Sequence, residues 1–126
     1  MTVARKEKTH IDWKALDRSW NIHLTTIGRK TGQPRRITAW FAVEDGRIYM
    51  GGGPHKPNWA RNIEKNADVE VEIGGTRFKG RARVLKGRHA IDHMRRLIYR
   101  KYLLARLGSF FGAYKNAVPV QIDPVL

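Results

Sequence analysis

Apolar and polar residues alternate along several short stretches of the chain, with the period of a half-buried β-strand. The clearest stretch is VEVEIGGTRFKGRARV, in which the apolar residues of 69–73 alternate with glutamates and a Gly-Gly pair supplies a turn. This turn sets Glu72 opposite Arg77. It also sets Glu70 opposite Lys79, and cross-strand pairs of opposite charge favour that register. The pattern therefore predicts a β-hairpin with a charged face.

Three further strands are predicted from shorter runs of β-branched and apolar residues, at 21–27, at 36–43 and in RIYM. Asp45 and Gly46 form the two-residue turn between the second and third of these strands. This turn places Val43 opposite Ile48 and Phe41 opposite Met50, and both are apolar cross-strand pairs. A last short strand is predicted in AVPVQID, near the C-terminal end of the sequence.

Three segments have helical rather than strand-like spacing. The first is DWKALDRSW, with Asp12 as N-cap and the apolar residues Trp13, Leu16 and Trp20 on one face. The second is NWARNIEKN, with Asn58 as N-cap and its end at 66. The third covers 89–107 and carries a broad apolar stripe. Antiparallel strands with helices between them favour a small closed or half-closed β-barrel in an α+β fold.

The length of 126 residues fits one domain, 1–126, in which 1–20 form an N-terminal extension with a short helix. The absence of cysteine excludes disulfides, thiolate metal sites and thiol catalysis, and favours a reducing compartment. The N-terminus has no apolar signal core, so the predicted location is cytoplasmic. His89 and His93 have the spacing of two metal ligands but no evident third ligand, so no metal site is predicted.

The charge is strongly basic, with 25 Lys and Arg residues and a formal net charge of +14. One interpretation is a solvated surface; the other is an anionic partner such as nucleic acid, acidic lipid or a polyanionic small molecule. Charge alone does not decide between them. No nucleic-acid recognition motif is present, so sequence-specific nucleic-acid binding is not expected. The stretch RRLIYRKYLLAR could associate weakly with an anionic membrane, although a core helix with a solvated face fits it better.

The stretch LTTIGRKTGQPRRITAW concentrates positive charge at a predicted turn between two strands. Backbone N–H groups near Gly28 and Gly32 could point at one anion, as in a nest. The Thr31 hydroxyl could donate to a phosphate oxygen, and Lys30 and Arg35 could add charge-assisted hydrogen bonds. The alternative is an ordinary basic turn on the surface.

A second stretch, GGGPHKPNWARN, combines an irregular glycine-rich loop, the start of a helix and an aromatic residue. Helix N-termini attract anions through unpaired N–H groups. Trp59 could form one wall of a site for a planar ligand, or it could belong to the core. The chain has no paired carboxylates and no GxSxG motif, so an enzyme of this sequence would rely on a bound cofactor for its chemistry.

Together and in this order, LTTIGRKTGQPR, a strand hairpin and GGGPHKPNWARNIEKNADVEVEIGG closely resemble the deazaflavin-dependent nitroreductase family. This family belongs to the flavin/deazaflavin oxidoreductases and is related to pyridoxamine-phosphate oxidases. The resemblance covers about 24–75 and, more loosely, the final strand. It implies an antiparallel split β-barrel of six to seven strands with flanking helices. It also implies coenzyme F420, a deazaflavin that carries a phosphate and a polyglutamate tail.

The resemblance implies cofactor contacts in four groups of residues. The phosphate region would meet the basic turn at Arg29, Lys30 and Thr31, with Arg35 and Arg36 nearby. The deazaflavin ring would be bordered by Ile37, Thr38 and Trp40, the first two largely through backbone. Its opposite edge would be formed by Met50, Gly51 and Gly52. The short helix would close the site with Asn58, Trp59 and Asn62.

The resulting interpretation is an oxidoreductase that transfers a hydride from reduced F420 to a small electron-poor substrate, such as an unsaturated, quinone-like or nitro compound. Tyr114 is the candidate substrate contact or proton donor, and a homodimer is implied by the resemblance. Three alternatives stay open: an FMN-binding split-barrel oxidoreductase, a non-catalytic cofactor carrier and a basic nucleic-acid-binding domain.

Overall fold

The structure is a computed structural model and describes residues 11–52, 55–102 and 117–125. In this part of the chain, seven antiparallel strands form one sheet and three helices pack against it. The strands are β1 (Ile22–Ile27), β2 (Pro34–Ala39), β3 (Ala42–Glu44), β4 (Arg47–Gly51), β5 (Asp68–Ile73), β6 (Thr76–Val84) and β7 (Pro119–Val125). The helices are α1 (Trp13–Asp17), α2 (Asn58–Lys65) and α3 (Arg88–Lys101).

The strand order β2-β1-β5-β6-β7-β4-β3 requires the sheet to curl. The edge strands β2 and β3 are separated along the chain by Trp40 and Phe41 alone, which limits Ala39 and Ala42 to a separation of about 11 Å. A flat seven-stranded sheet would place its edges about 28 Å apart. The sheet is therefore a barrel that stays split between β2 and β3, which are not neighbours in the hydrogen-bonded order of the described strands. The predicted antiparallel split barrel of the α+β class is confirmed.

Both predicted hairpins form in the predicted register. In the β5–β6 hairpin, Glu72 lies opposite Arg77 and Glu70 opposite Lys79. In the β3–β4 hairpin, Val43 lies opposite Ile48 across a turn at 45–46. Both turn residues have positive φ, 53° and 72°, as the tight hairpin turn requires.

The single strand predicted at 36–43 is wrong, because the chain leaves the sheet at Trp40 and Phe41. The backbone groups freed by this break are satisfied by one side chain from the end of α3. The Tyr102 hydroxyl accepts a hydrogen bond from the Phe41 N–H at 3.2 Å and lies 3.0 Å from the Phe41 carbonyl oxygen and 2.8 Å from that of Trp20. Phe41 and Met50 consequently form no ladder pair, although both are fully buried.

The helices follow the predicted segments with shifted ends. Asp12 is the N-cap of α1, as predicted, and accepts a hydrogen bond from the Ala15 N–H, but α1 ends at Asp17 and the Trp20 side chain is 54% exposed. The predicted N-cap of α2 is wrong: Pro57 occupies that position. The predicted end of α2 at 66 is confirmed. The last predicted helix is observed from Arg88 to Lys101, and 103–107 lie outside the described residues.

Two apolar clusters stabilise the structure. The larger cluster fills the barrel with residues of β1, β4, β5 and β7, and α2 packs against it through Ala60 and Ile63. The smaller cluster lies between α3 and the β3–β4 hairpin. None of the helices in the described part of the chain is long and apolar enough to cross a membrane. The described residues also contain no group of three or more His, Asp or Glu side chains placed to hold a metal ion.

Lys101 is a largely buried cation beside the smaller cluster. Its Nζ lies 3.5 Å from the centre of the Phe41 ring and 3.5 Å from Asp17 Oδ1. Burial lowers the pKa of Lys101 below the ordinary 10.5, and Asp17 offsets only part of that shift. The folded state therefore binds this proton more weakly than the unfolded state does.

From this linkage we expect the free energy of unfolding to rise with pH between the lowered pKa of folded Lys101 and 10.5. The slope arises because the unfolded chain still holds the proton that the folded protein has lost. Lys101→Met removes the titrating group and should flatten this part of the profile, whereas Lys86→Met at an exposed position should not. Urea unfolding at several pH values measures the difference, and parallel profiles for the parent and Lys101→Met would contradict the assignment.

Candidate functional site

A cleft of about 610 Å³ opens between β2, the β1–β2 loop and α2. It brings together most of the residues that the resemblance implies for the phosphate region and for the closing helix. The lining residues are Gly28, Arg29, Lys30, Thr31, Pro34, Arg35, Arg36, Ile37, Asn58, Trp59 and Asn62. The cleft is therefore the candidate site.

The register between β1 and β2 decides which side chains face α2. Thr26 lies opposite Arg35 and Leu24 opposite Ile37, and directly opposed residues point to the same face of a sheet. Thr26 and Leu24 are buried on the face that α2 covers, so Arg35 and Ile37 share that face. Arg36 points to the opposite face, where its guanidinium lies 3.3 Å from a carboxylate oxygen of Glu72.

Two of the backbone donors considered for an anion nest, those of Gly28 and Gly32, are used within the loop. The Gly28 N–H donates to the Gln33 carbonyl at 2.8 Å, and the Gly32 N–H donates to the Gly28 carbonyl at 2.8 Å. The Thr31 hydroxyl accepts a hydrogen bond from the Gln33 N–H at 3.1 Å, which leaves its own hydrogen able to donate. The Gly28 and Gly32 amides are therefore not available to an anion.

Arg29 is held in place by α2. Its backbone N–H and its Nη1 both donate to Asn62 Oδ1 at 3.1 Å, and its Nη2 lies 3.4 Å from Asn58 Oδ1. The Lys65 ammonium donates to the Arg29 carbonyl at 3.3 Å. Asn62 is only 4% exposed, and its Nδ2 donates to the hydroxyl of fully buried Thr26 at 3.1 Å. The loop is thus tied to the helix by side-chain hydrogen bonds at both its backbone and its guanidinium.

Lys30 and Arg35 are the cations with unused hydrogen-bonding capacity. Both are exposed, and neither side chain makes a hydrogen bond or an ion pair with any residue in the described ranges. No acidic residue lines the cleft within the described chain. With Arg29 and with Arg36, which is also paired with Glu72, they place four positive charges around one cavity, an arrangement that suits a ligand with several negative charges.

Trp59 lies at the α2 side of the same cleft. Its half-buried side chain packs against the barrel core and also lines the cavity, so both interpretations of this residue apply. An indole surface beside cationic groups can hold a planar ring that carries an anionic substituent.

Two residues predicted to border the ring have other partners. Trp40 stacks on Tyr102 with ring centres 4.5 Å apart and meets Trp20 edge to face, so it belongs to the smaller cluster. Thr38 is exposed, and its hydroxyl lies 2.8 Å from Nδ1 of His23. Neither residue lines the cleft.

The predicted opposite edge of the ring site also lies outside the cleft lining. Met50 is fully buried in the barrel core, and Gly51 pairs with Pro119 at the end of β4. Gly52 passes so close to Pro57 that a Cβ on Gly52 would lie 2.6 Å from the proline Cδ. Any contribution of Gly52 to a ligand site would therefore come through its backbone.

Sequence reasoning missed Thr26, which accepts a hydrogen bond from Asn62 of α2, and Lys65, which donates to the Arg29 carbonyl of the loop. In both pairs the two partners are 36 residues apart along the chain. The only sequence signal was a threonine on the otherwise apolar face of β1, between the buried residues of a strand. The candidate proton donor Tyr114 lies outside the described residues.

Comparison with known proteins gives a consistent picture. A family described as F420H(2)-dependent quinone reductase matches residues 3–106. An F420H(2)-dependent quinone reductase of Mycobacterium tuberculosis is 40% identical in an alignment of 63 positions, which covers 46% of this chain and 42% of the relative. The matched region thus spans less than half of the curated relative.

Two solved structures extend the comparison. An F420-H2 dependent reductase is similar over 85% of this chain and 95% of its own, with 27% identity and a TM-score of 0.62. A chain described as a domain-swapped dimer is similar over 96% of this chain and 92% of its own, with 25% identity and a TM-score of 0.62.

Proposed function

The chain belongs to the F420H(2)-dependent quinone reductase family, and on this premise we propose that it is a reductase that uses coenzyme F420 to reduce small electron-poor molecules such as quinones. The observation that carries the proposal is the cationic cleft, in which Arg29 is fixed by Asn62 while Lys30 and Arg35 keep their donors for a ligand. The deazaflavin-dependent family inferred from the motifs agrees with this membership.

The residues present fit the chemical groups of F420. Its phosphate and polyglutamate tail carry several negative charges, and Arg29, Lys30 and Arg35 offer guanidinium and ammonium donors without a competing carboxylate in the described lining. Trp59 offers an apolar wall to the ring. The Thr31 hydroxyl can donate one further hydrogen bond to an oxyanion.

The bound coenzyme, in its reduced form, supplies a hydride. Reduction of a quinone to its hydroquinone takes up this hydride and a proton, so a two-electron transfer needs no further reductant. In the proposed reaction, the chain binds the anionic end of the coenzyme, orients the ring against Trp59 and excludes water from that side. The proton comes from solvent or from Tyr114. Turnover assays with quinone, unsaturated and nitro compounds would measure which of these electron-poor substrates are accepted.

Cofactor choice is tested by titrating the purified protein with F420, with FMN and with a deazaflavin fragment that lacks phosphate and tail. We expect F420 to bind more tightly than FMN, because FMN offers one phosphate to a cleft lined by four cationic side chains. Fluorescence quenching gives the dissociation constants, and turnover with a quinone gives the activity. Equal or reversed affinities would support the FMN alternative, and binding without turnover would support a carrier.

The proposed assembly is a homodimer, supported by the similarity to a chain described as a domain-swapped dimer. Light scattering of the purified protein would measure its mass in solution. A monomer at micromolar concentration would contradict this part of the proposal. The cytoplasmic location and the weak membrane association of the sequence analysis stay predictions.

A further inference from the structure

Thr26 is a buried hydroxyl directly beneath the candidate site. It occupies the face of β1 that otherwise carries Ile22 and Leu24, and all three residues have no exposed surface. Valine has nearly the same shape and a higher preference for strands, and it would bring no polar group into this apolar layer. A buried hydroxyl at such a position needs a hydrogen-bond partner, and the partner of Thr26 is a residue that lines the cleft.

The partner is Asn62, whose amide is used at both ends. Nδ2 donates to Thr26 Oγ1 at 3.1 Å, and Oδ1 accepts from the backbone N–H and from Nη1 of Arg29, each at 3.1 Å. Both lone pairs of Oδ1 are therefore occupied by Arg29. Asn62 has no remaining acceptor for a ligand, although the resemblance implies it as a cofactor contact.

We propose that Thr26 is a positioning residue for anion binding, which acts through Asn62 on the guanidinium of Arg29. The donor-only N–H groups of Arg29 select the amide orientation in which Oδ1 faces them, and the Thr26 oxygen holds that amide in place by accepting from its Nδ2. This inference rests on the proposed function, because the anion concerned is the phosphate or tail of F420.

The benefit of this arrangement lies in preorganisation. An arginine side chain free in solvent loses rotamer freedom when it binds an anion, and a guanidinium already held by two acceptors loses less. Asn62 Oδ1 and Asn58 Oδ1 each occupy one terminal nitrogen of Arg29 and leave its other N–H groups for the cleft. Lys30 and Arg35 have no such support among the described residues.

The central test uses Thr26→Val, which removes the acceptor, and Thr26→Ser, which retains it. We expect Thr26→Val to weaken F420 binding about tenfold and Thr26→Ser to bind like the parent. The phosphate-free fragment should bind both variants within about twofold of the parent, because it does not reach Arg29. A merely structural role for Thr26 would weaken both ligands equally, and that result would overturn the proposal.

A double-mutant cycle then asks whether Thr26 acts through Arg29. In an Arg29→Ala background, Thr26→Val should cause no further loss of F420 affinity. An undiminished tenfold loss in that background would also overturn the proposal. All titrations are made well below the melting temperature of each variant, since the buried amide of Asn62 loses a partner in Thr26→Val.

A ligand-free measurement separates this inference from the proposed function. NMR relaxation of the Arg29 Nε–H should report an ordered side chain in the parent and in Thr26→Ser, and a more mobile one in Thr26→Val. If the parent failed to bind F420, the proposed function would be wrong. The order of the Arg29 side chain and the affinity of each variant for inorganic pyrophosphate would still decide the role of Thr26. Equal mobility of Arg29 in all three proteins would refute that role.

Discussion

Lys30→Ala and Arg35→Ala should each weaken F420 binding about ten- to a hundredfold without unfolding the protein. Each removes a charge-assisted hydrogen bond, worth about 1.5–3 kcal/mol. Both side chains are exposed and make no hydrogen bond or ion pair within the described chain, so the fold loses nothing when they are truncated. Dissociation constants from fluorescence titration would show the loss, and unchanged denaturation midpoints would show that the variants are folded.

Matched controls separate this local effect from the general loss of positive charge. Lys86→Ala and Arg83→Ala change the net charge by the same amount at exposed positions outside the cleft lining. They should lower the affinity by less than about twofold at moderate salt, where screening limits distant charges. If the controls and the cleft variants weakened binding equally, F420 would respond to overall charge, and the cleft would not be the binding site.

Tyr102→Phe should lower the free energy of unfolding by about 1–3 kcal/mol, which is a large fraction of the stability of a small domain. The substitution keeps the ring that stacks on Trp40 and removes only the hydroxyl. The Phe41 N–H then loses its acceptor, and the carbonyls of Phe41 and Trp20 lose the one donor that they share. Urea unfolding measures the change.

Tyr99→Phe is the control on the same helix. Tyr99 is half-buried, and the loss of a hydroxyl at a partly exposed position costs less than at a fully buried one, so we expect a smaller loss than for Tyr102→Phe. The ratio of affinities for F420 and its phosphate-free fragment should be the same in both tyrosine variants as in the parent. An unfolding free energy unchanged by Tyr102→Phe would mean that water can reach the Phe41 backbone.

Local patterns were sufficient to predict the hairpins. The charge pairs across β5–β6 and the Asp-Gly turn of β3–β4 each involve residues close in sequence, so a short window contains the relevant information. The break between β2 and β3 could not be predicted from a short window of sequence. A continuous apolar stretch predicts one strand, and the hydroxyl that satisfies the broken backbone comes from Tyr102, 61 residues after Phe41.

The same distinction applies to the candidate site. The basic turn and the tryptophan helix were identified from their motifs, and the structure brings them together around one cleft. The partners of the Gly28, Arg29 and Gly32 amides were not predicted. Asn62, which accepts from the Arg29 N–H, lies 33 residues later in sequence, and the loop closes on itself through Gly28. Trp40 was placed beside the ring by family resemblance, yet its stacking on Tyr102 depends on where α3 ends.

The position of β7 in the sheet has a consequence for the synthesis of the protein. β7 comes after every other described strand in sequence, but it lies between β6 and β4 in the hydrogen-bonded order. On the ribosome, the four strands β2, β1, β5 and β6 and the β3–β4 hairpin can form before 119–125 emerge. Until then, β6 and β4 each have an unpaired edge where β7 will bind. Among the described strands, only β7 joins the β2-β1-β5-β6 part of the sheet to the β3–β4 hairpin. Its partners in β4 lie about 70 residues earlier in sequence. The nascent chain must therefore keep two open edges apart from other chains until β7 is available, and this interval is when aggregation would compete with folding.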